Sequence, residues 1–144
     1  MSLFDTLFSV ANVLALLGWA GLAALPGRKW VVDGISGMFI PLLLAVAYAG
    51  LIGAFWAGAE GGFSSLAAVR LLFGSDALLL AGWLHYLAFD LFVGAWEVRI
   101  ARREGIPHFL VIACLALTFL FGPIGFLAFT IIRFARAPRL IPEA

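Results

Sequence analysis

Charged residues are scarce in this sequence. Only 12% of its 144 residues are Asp, Glu, Lys or Arg, whereas 65% are hydrophobic. Soluble domains typically contain about 25% charged and about 45–50% apolar residues. The composition therefore excludes an ordinary soluble domain, and the formal net charge of only +1 gives no support for nucleic-acid binding. We expect an integral membrane protein.

Cysteine and known catalytic motifs are also nearly absent. Cys114 is the only cysteine, so no internal disulfide can form, and its apolar surroundings indicate inert packing. No His-Glu-x-x-His motif, marked serine nucleophile or phosphate-binding loop is present. His85 and His108 could join acids as metal ligands, but their spacing does not favour a metal site. The first apolar run has no basic segment before it, which favours a retained span over a cleaved signal peptide.

Four apolar segments are long enough to cross ~30 Å of hydrocarbon, which takes about 20 helical residues. They cover residues 3–25, 35–57, 76–98 and 108–132. Between the second and third, residues 63–73 show the spacing of a short interfacial helix. The predicted fold is all-α: a polytopic membrane protein whose residues 1–144 form one compact bundle of four transmembrane helices.

Proline and basic residues mark the ends and bends of these spans. Pro41 predicts a helix start or a kink, and Gly122-Pro123 predicts a bend inside the fourth span. With four spans, one side of the membrane receives Arg28, Lys29, Arg99, Arg102 and Arg103, and the other receives Arg70, Arg133, Arg136 and Arg139. The positive-inside rule then weakly favours both termini outside.

The third span carries ionisable residues at membrane depth. Such a residue costs roughly 2.5–3.5 kcal/mol on insertion scales, so it usually has a partner and a function. A helix advances about 100° per residue, so residues that are seven positions apart lie nearly in line. Four residues of the third span have this spacing and form one stripe, and Tyr86, four residues before Asp90, lies close to it. The members of the stripe are Asp76, Trp83, Asp90 and Glu97. Asp90 lies deepest and is the strongest candidate for a functional group.

A second stripe lies some 100–160° from Asp90 on the same helix. It contains His85, Phe89, Phe92 and Trp96. On a regular helix His85 cannot pair with Asp90 directly, so it needs a partner from another helix, and the first span with Asn12 is a candidate. Asp90 and His85 would together suit general acid–base catalysis.

Each of these residues also has a purely structural interpretation. Asn12 and His85 could each form a bond between helices, and Asp90 could lock two helices together. Asp76 could stabilise a helix N-terminus, and Glu97 could pair with the nearby arginines at the interface. The aromatic residues could be core packing or interfacial belt residues.

Three stretches together resemble the abscisic-acid-deficient-four (neoxanthin-synthase-like) membrane family. They are residues 82–94 (GWLHYLAFDLFVG), 105–108 (GIPH) and 121–125 (FGPIG), in the order that the family shows. The resemblance implies a four-helix membrane protein whose plant relatives are tied to forming neoxanthin from violaxanthin. That conversion opens an epoxide and forms an allene without net oxidation, so it needs an acid and a base but no cofactor. Asp90 and His85 fall at matching motif positions and would suit these roles.

The leading hypothesis is therefore a cofactor-independent isomerase of carotenoid or isoprenoid metabolism. Its ligand would enter from the bilayer, contact membrane lipid and bind beside Trp83, Tyr86, Phe89, Trp96, Glu97 and Asn12. The sequence has no plastid transit peptide, so we expect a bacterial inner-membrane protein. Because four helices barely enclose a long polyene, a homodimer with a shared groove is a further expectation. The alternatives are a carotenoid- or lipid-binding or assembly protein without chemistry and a small proton-linked transporter.

Overall fold

The structure is a computed structural model that describes residues 2–136. These residues form six helices and no β-strand, so the all-α prediction is confirmed. The helices are α1 (Leu3–Ala24), α2 (Trp30–Phe55), α3 (Leu66–Leu72), α4 (Asp76–Glu104), α5 (His108–Phe121) and α6 (Pro123–Arg136). Among the described residues, α1, α2 and α4 are long and apolar enough to cross a membrane.

The start of α1 is fixed by a capping box. The Ser2 hydroxyl accepts a hydrogen bond from the Asp5 backbone N–H at 3.1 Å, and the Asp5 carboxylate accepts one from the Ser2 N–H at 2.9 Å. These bonds satisfy two backbone donors that a helix N-terminus leaves unpaired. The helix ends just before Pro26, which cannot continue the hydrogen-bond ladder.

Helix α2 begins five residues earlier than predicted, and Pro41 accounts for its unusual first half. Residues Trp30–Phe39 form a π-helix, and an α-helix follows from Ile40 to Phe55. A proline lacks a backbone N–H, and its ring clashes with the carbonyl four residues earlier. The wider π-helical turns before Pro41 therefore pass into the α-helix without a break in the chain.

Helix α4 is the centre of the molecule and packs against every other long helix. Its first half contacts the first half of α1, where Trp83 lies beside Phe8. Its second half contacts the second half of α1, because a Cβ on Gly94 would lie 2.5 Å from the Trp19 ring. The helices α1 and α4 are thus parallel. Helix α2 runs the opposite way.

The last two helices form a hairpin and do not form one span. Helix α5 starts beside the end of α4 and runs back to its middle, where Gly122 contacts Asp90. Helix α6 then returns along α4 to its end, where Arg133 forms an ion pair with Glu104 at 2.7 Å. Each arm has 14 residues, or ~21 Å of helix, which is too short to cross ~30 Å of hydrocarbon.

The hairpin corrects the predicted span at residues 108–132. The sequence pattern is continuously apolar there, so hydropathy alone does not reveal that the chain reverses direction at Gly122. The prediction of four spans is therefore not confirmed. A short helix does occur within residues 63–73, at Leu66–Leu72, and its location at a membrane interface stays a prediction.

Candidate functional site

The tip of the hairpin lies against the carboxyl group of Asp90. Asp90 is the central residue of α4, 14 residues from Asp76 and 14 from Glu104. Gly122 ends α5 with φ +36° and ψ −90°, a conformation that side-chain-bearing residues rarely adopt. A Cβ at Gly122 would lie only 2.8 Å from Oδ1 of Asp90. Glycine therefore permits both the reversal of the chain and the close approach to the carboxyl.

Pro123 creates a free backbone acceptor beside Asp90. In a continuous α-helix the carbonyl of Phe119 would accept a hydrogen bond from residue 123, but proline has no N–H. The hydroxyl of Tyr86 donates to this carbonyl instead, at 2.7 Å. The same hydroxyl is close enough to the Asp90 carboxyl to interact with it. The helix break and the α4 stripe thus build one polar cluster.

The carboxyl of Asp90 is not fully satisfied by the protein. Its Oδ2 atom is buried and forms no hydrogen bond with residues 2–136. Asp90 as a whole is half-buried. A buried polar atom without a partner is costly, and in a native protein it indicates a function or a bound group. This supports the functional interpretation of Asp90 over a purely structural one.

Asn12 and Trp83 form a wall above the hairpin tip. The Trp83 indole N–H donates to the Asn12 side-chain oxygen at 3.3 Å, which joins α1 to α4. The Trp83 ring also packs on Tyr86, with centroids 5.2 Å apart. The expected bond from Asn12 to another helix is therefore present, although its partner is Trp83 and not His85. A ligand contact by Asn12 stays a prediction.

A cavity of about 360 Å³ opens next to this wall, between the first halves of α1 and α4. Trp83, Phe8 and the acids Asp5 and Asp76 are among the residues that line it. The hairpin reaches only to the middle of α4, so it leaves this region uncovered. The volume is within the range of about 300–1,000 Å³ that small-molecule sites usually have. Trp83 is the lining residue nearest to the polar cluster, and Tyr86 and Asp90 lie one and two turns further along α4. We name this cavity the tip cleft.

Glu97 lies two turns below Asp90 and is fully buried. Its Oε1 atom accepts a hydrogen bond from the Thr118 hydroxyl at 2.9 Å, and its Oε2 atom has no hydrogen-bond partner in the described part of the chain. The interpretation of Glu97 as an interfacial acid paired with arginines is therefore wrong. Glu104 has that role, since Arg133 donates to both of its carboxylate oxygens.

His85 and Phe89 face α2, away from the tip cleft. The imidazole stacks on Phe89 at 4.6 Å and lies 6.0 Å from the Tyr48 ring of α2. Asp90 contacts the hairpin instead. Since five residues correspond to about 140° around a helix, the two side chains point to different neighbours. The structure does not bring His85 and Asp90 together.

The remaining candidates have structural surroundings. Trp96 packs between Phe126 and Phe129 of α6, with both centroid distances 5.5 Å. A ring nitrogen of His108 lies 2.8 Å from the Ala23 carbonyl oxygen at the end of α1, far from His85 along the bundle. Within residues 2–136 no three His, Cys, Asp or Glu side chains form a group that could hold a metal ion.

Two residues of the site were missed in the sequence. Thr118 bonds Glu97, and Gly122 contacts Asp90, but both lie in a helix that the sequence pattern presented as one bent span. The only signal was the Gly-Pro pair, which predicts a bend and not a reversal.

This arrangement defines a helical membrane protein with a half-buried carboxyl at the centre of its longest helix. The chain belongs to the ABA DEFICIENT 4-like family, whose model matches residues 6–129 and so includes Tyr86, Asp90 and Gly122. The predicted family resemblance is thereby confirmed, and membership suggests a role related to carotenoids and neoxanthin. Comparisons with curated proteins and with solved structures gave no significant match.

Proposed function

We propose that this chain is a membrane enzyme that isomerises a carotenoid or another long isoprenoid without a cofactor. The substrate enters the tip cleft from the bilayer, and Asp90 transfers the proton. The observation that carries the proposal is the carboxyl of Asp90, half-buried at the centre of α4 with one oxygen unpaired. Family membership supports the class of substrate.

An isomerisation of this kind needs a base and an acid on the same molecule. The base takes a carbon-bound proton while the acid protonates an oxygen, for example that of an opening epoxide, so no electrons enter or leave. We assign the base to the Asp90 carboxylate and the acid to the Tyr86 hydroxyl, which interacts with that carboxyl and turns its proton from the Phe119 carbonyl to the substrate. Transfer of the proton from Asp90 back to Tyr86 restores both groups.

This assignment differs from the pair that the sequence favoured. Asp90 and His85 would have to act on one substrate from two sides of α4, since His85 faces Tyr48. Tyr86 is four residues before Asp90 and therefore lies on the same face. The residues of the tip cleft bind the rest of the substrate. Trp83 lines the cleft and packs on Tyr86, so it lies beside the reacting end together with Asn12.

The experiment is to express wild type, Asp90→Asn and Tyr86→Phe in a carotenoid-producing host and to compare the pigments. Because general acid–base groups contribute roughly 10²- to 10⁴-fold, Asp90→Asn should lower product formation at least ~100-fold. Tyr86→Phe should also lower it. The matched control is Asp33→Asn, which changes an exposed acid near the start of α2 that pairs with Arg99 and should leave the pigments unchanged.

The pigment that copurifies with each protein separates the two main hypotheses. If Asp90→Asn retains bound pigment but has lost the product, the residue acts in the chemistry. If Asp90→Asn and wild type give the same products while both bind pigment, the isomerase proposal fails and a binding or assembly protein is favoured.

A further inference from the structure

A second cavity lies between α2 and α4, on the side of α4 that faces away from the hairpin. Its volume is about 230 Å³, and its lining is almost wholly apolar. Phe89 and Phe92 of α4 line one side, and Pro41 and Ala45 of α2 are among the residues of the other. The space is too small for a whole lipid, but it can take part of one acyl chain. We name it the α2–α4 groove.

A guanidinium group closes one end of the α2–α4 groove. The Arg99 side chain lies over the Phe92 ring, with 5.8 Å between its Cζ atom and the ring centroid. It also lies against Gly37, where a Cβ would be only 2.8 Å from Nη1 of Arg99. Phe92 and Gly37 both line the groove, one on each helix, so two independent contacts place Arg99 at its end. The Arg99 side chain is 27% exposed and is therefore accessible to a ligand.

The same end of the groove carries a net positive charge. Because residues seven and eleven positions apart on a helix nearly align, Phe92, Arg99 and Arg103 lie along one line of α4. Asp33 of α2 lies 3.5 Å from Nη1 of Arg99, so two positive charges face one negative charge. Arg102 is exposed like Arg103, but it is the neighbouring residue and therefore points about 100° away from it.

The depth of these charges matches that of a lipid headgroup. Trp30, the first residue of α2, is 63% exposed, as is typical of an aromatic residue at a membrane interface. Asp33 follows it by three residues, so the pair of Asp33 and Arg99 lies within about one helical turn of the interface. Pro41 lies eight residues beyond Asp33, so the groove extends roughly 10 Å further into the hydrocarbon. An anionic group with an apolar chain below it fits both parts.

We infer that the α2–α4 groove binds an anionic phospholipid of the leaflet around the C-terminal end of α4. The phosphate bonds Arg99 and Arg103, since a guanidinium group matches the geometry of phosphate oxygens. One acyl chain follows the groove past Phe92 towards Pro41. The site is separate from Asp90 and the tip cleft, so lipid binding can be present whether or not the proposed isomerisation takes place.

The test compares two lipids that differ only in their headgroups. The purified protein in detergent receives an equal mixture of dioleoyl phosphatidylglycerol and dioleoyl phosphatidylcholine, and native mass spectrometry measures the bound lipid. Wild type should prefer phosphatidylglycerol at least about tenfold, and Arg103→Gln should lower this preference about fivefold, the contribution of one basic residue near an anionic headgroup. The matched control Arg102→Gln removes the same charge outside the groove and should keep the preference within about twofold.

Two further arms test the acyl chain and the source of the phosphate. Ala45→Phe fills the groove and should lower the binding of both lipids, whereas Val46→Phe, at a neighbouring position that is 70% exposed, should not. Inorganic phosphate lacks a chain and should not displace the bound lipid. The inference is overturned by equal binding of the two lipids to wild type or by equal effects of Arg102→Gln and Arg103→Gln. Unchanged binding in Ala45→Phe, or displacement of the lipid by inorganic phosphate, also overturns it.

Discussion

Among single residues, Gly122 determines how closely the hairpin approaches Asp90. The substitution Gly122→Ala would place a Cβ 2.8 Å from a carboxylate oxygen in a backbone conformation with φ +36°. We expect a loss of about 1–3 kcal/mol in the free energy of unfolding, together with lower activity, because Asp90 must move. Thermal unfolding in detergent measures the first effect and pigment analysis the second.

The control for this variant is another glycine-to-alanine change. Gly50 is exposed in the α-helical part of α2 and has no atom near the position of a Cβ. Gly50→Ala should be neutral or stabilising by about 0.5–1 kcal/mol, because alanine favours helices. A Gly122→Ala protein as stable as Gly50→Ala would show that the turn is not as tight as described.

Thr118 holds the buried carboxyl group of Glu97. In Thr118→Val the shape of the side chain is kept, but Oε1 of Glu97 loses its only hydrogen-bond donor among the described residues. We expect a loss of about 1–3 kcal/mol in the free energy of unfolding, measured by thermal or denaturant unfolding. Thr130→Val is the matched control, because the Thr130 hydroxyl bonds only its own helix and should change stability by less than about 0.5 kcal/mol.

Part of the site could be predicted residue by residue because it lies on one helix, α4. Trp83 and Asp90 are seven residues apart, and Tyr86 is four residues before Asp90, so helical periodicity placed all three on one face of α4. The same geometry correctly separated His85 from Asp90. The partners that come from other helices could not be predicted: Asn12 bonds Trp83, and Thr118 bonds Glu97. Contacts between helices depend on packing, which periodicity within one helix does not encode.

Among the helices, the hairpin of α5 and α6 distinguishes the structure most from the prediction. Hydropathy identifies an apolar helix of sufficient length, but it does not sense the direction in which the chain continues. A Gly-Pro pair is compatible with a kink or with a reversal. The reversal is decided by tertiary contacts, since α6 packs its Phe126 and Phe129 rings on Trp96 of α4. The start of α1, in contrast, follows from its capping box, and its end follows from Pro26.

The ion pair at the end of the hairpin should stabilise this arrangement. Only 3% of Arg133 is exposed. Its Nε atom donates to Oε1 and Oε2 of Glu104 at 2.9 and 2.8 Å. Arg133→Met leaves the partly exposed carboxylate of Glu104 without this partner, so it should cost about 1–3 kcal/mol. In a double-mutant cycle with Glu104→Gln, the double variant should be less destabilised than the sum of the singles. Additive effects would contradict the pairing.

Across the whole molecule, the hairpin changes the distribution of charge. The chain has nine basic residues, and without Arg139, which lies outside the described residues, eight remain. Because α6 returns to the end of α4, seven of the eight lie at one end of the bundle, and Arg70 alone lies at the other. The predicted distribution of five against four was based on four spans and is replaced. The positive-inside rule now clearly favours the basic end in the cytoplasm, with the start of α1 outside.

The central claim is that the chain turns back at Gly122, which both builds the site at Asp90 and returns α6 to the basic end. The most direct measurement is the labelling of single cysteines by a membrane-impermeant thiol reagent in a Cys114→Ala background. Gly27→Cys marks the loop between α1 and α2, Gly58→Cys marks the opposite end, and Ala135→Cys marks the end of α6. All three positions are exposed.

We predict that Ala135→Cys and Gly27→Cys are labelled from the same side of the membrane, the cytoplasmic side, and Gly58→Cys from the other. If the end of α6 is instead labelled together with Gly58→Cys, residues 108–132 cross the membrane as a fourth span. In that case the hairpin, and the position of Gly122 against Asp90 on which the proposed active site depends, would be contradicted.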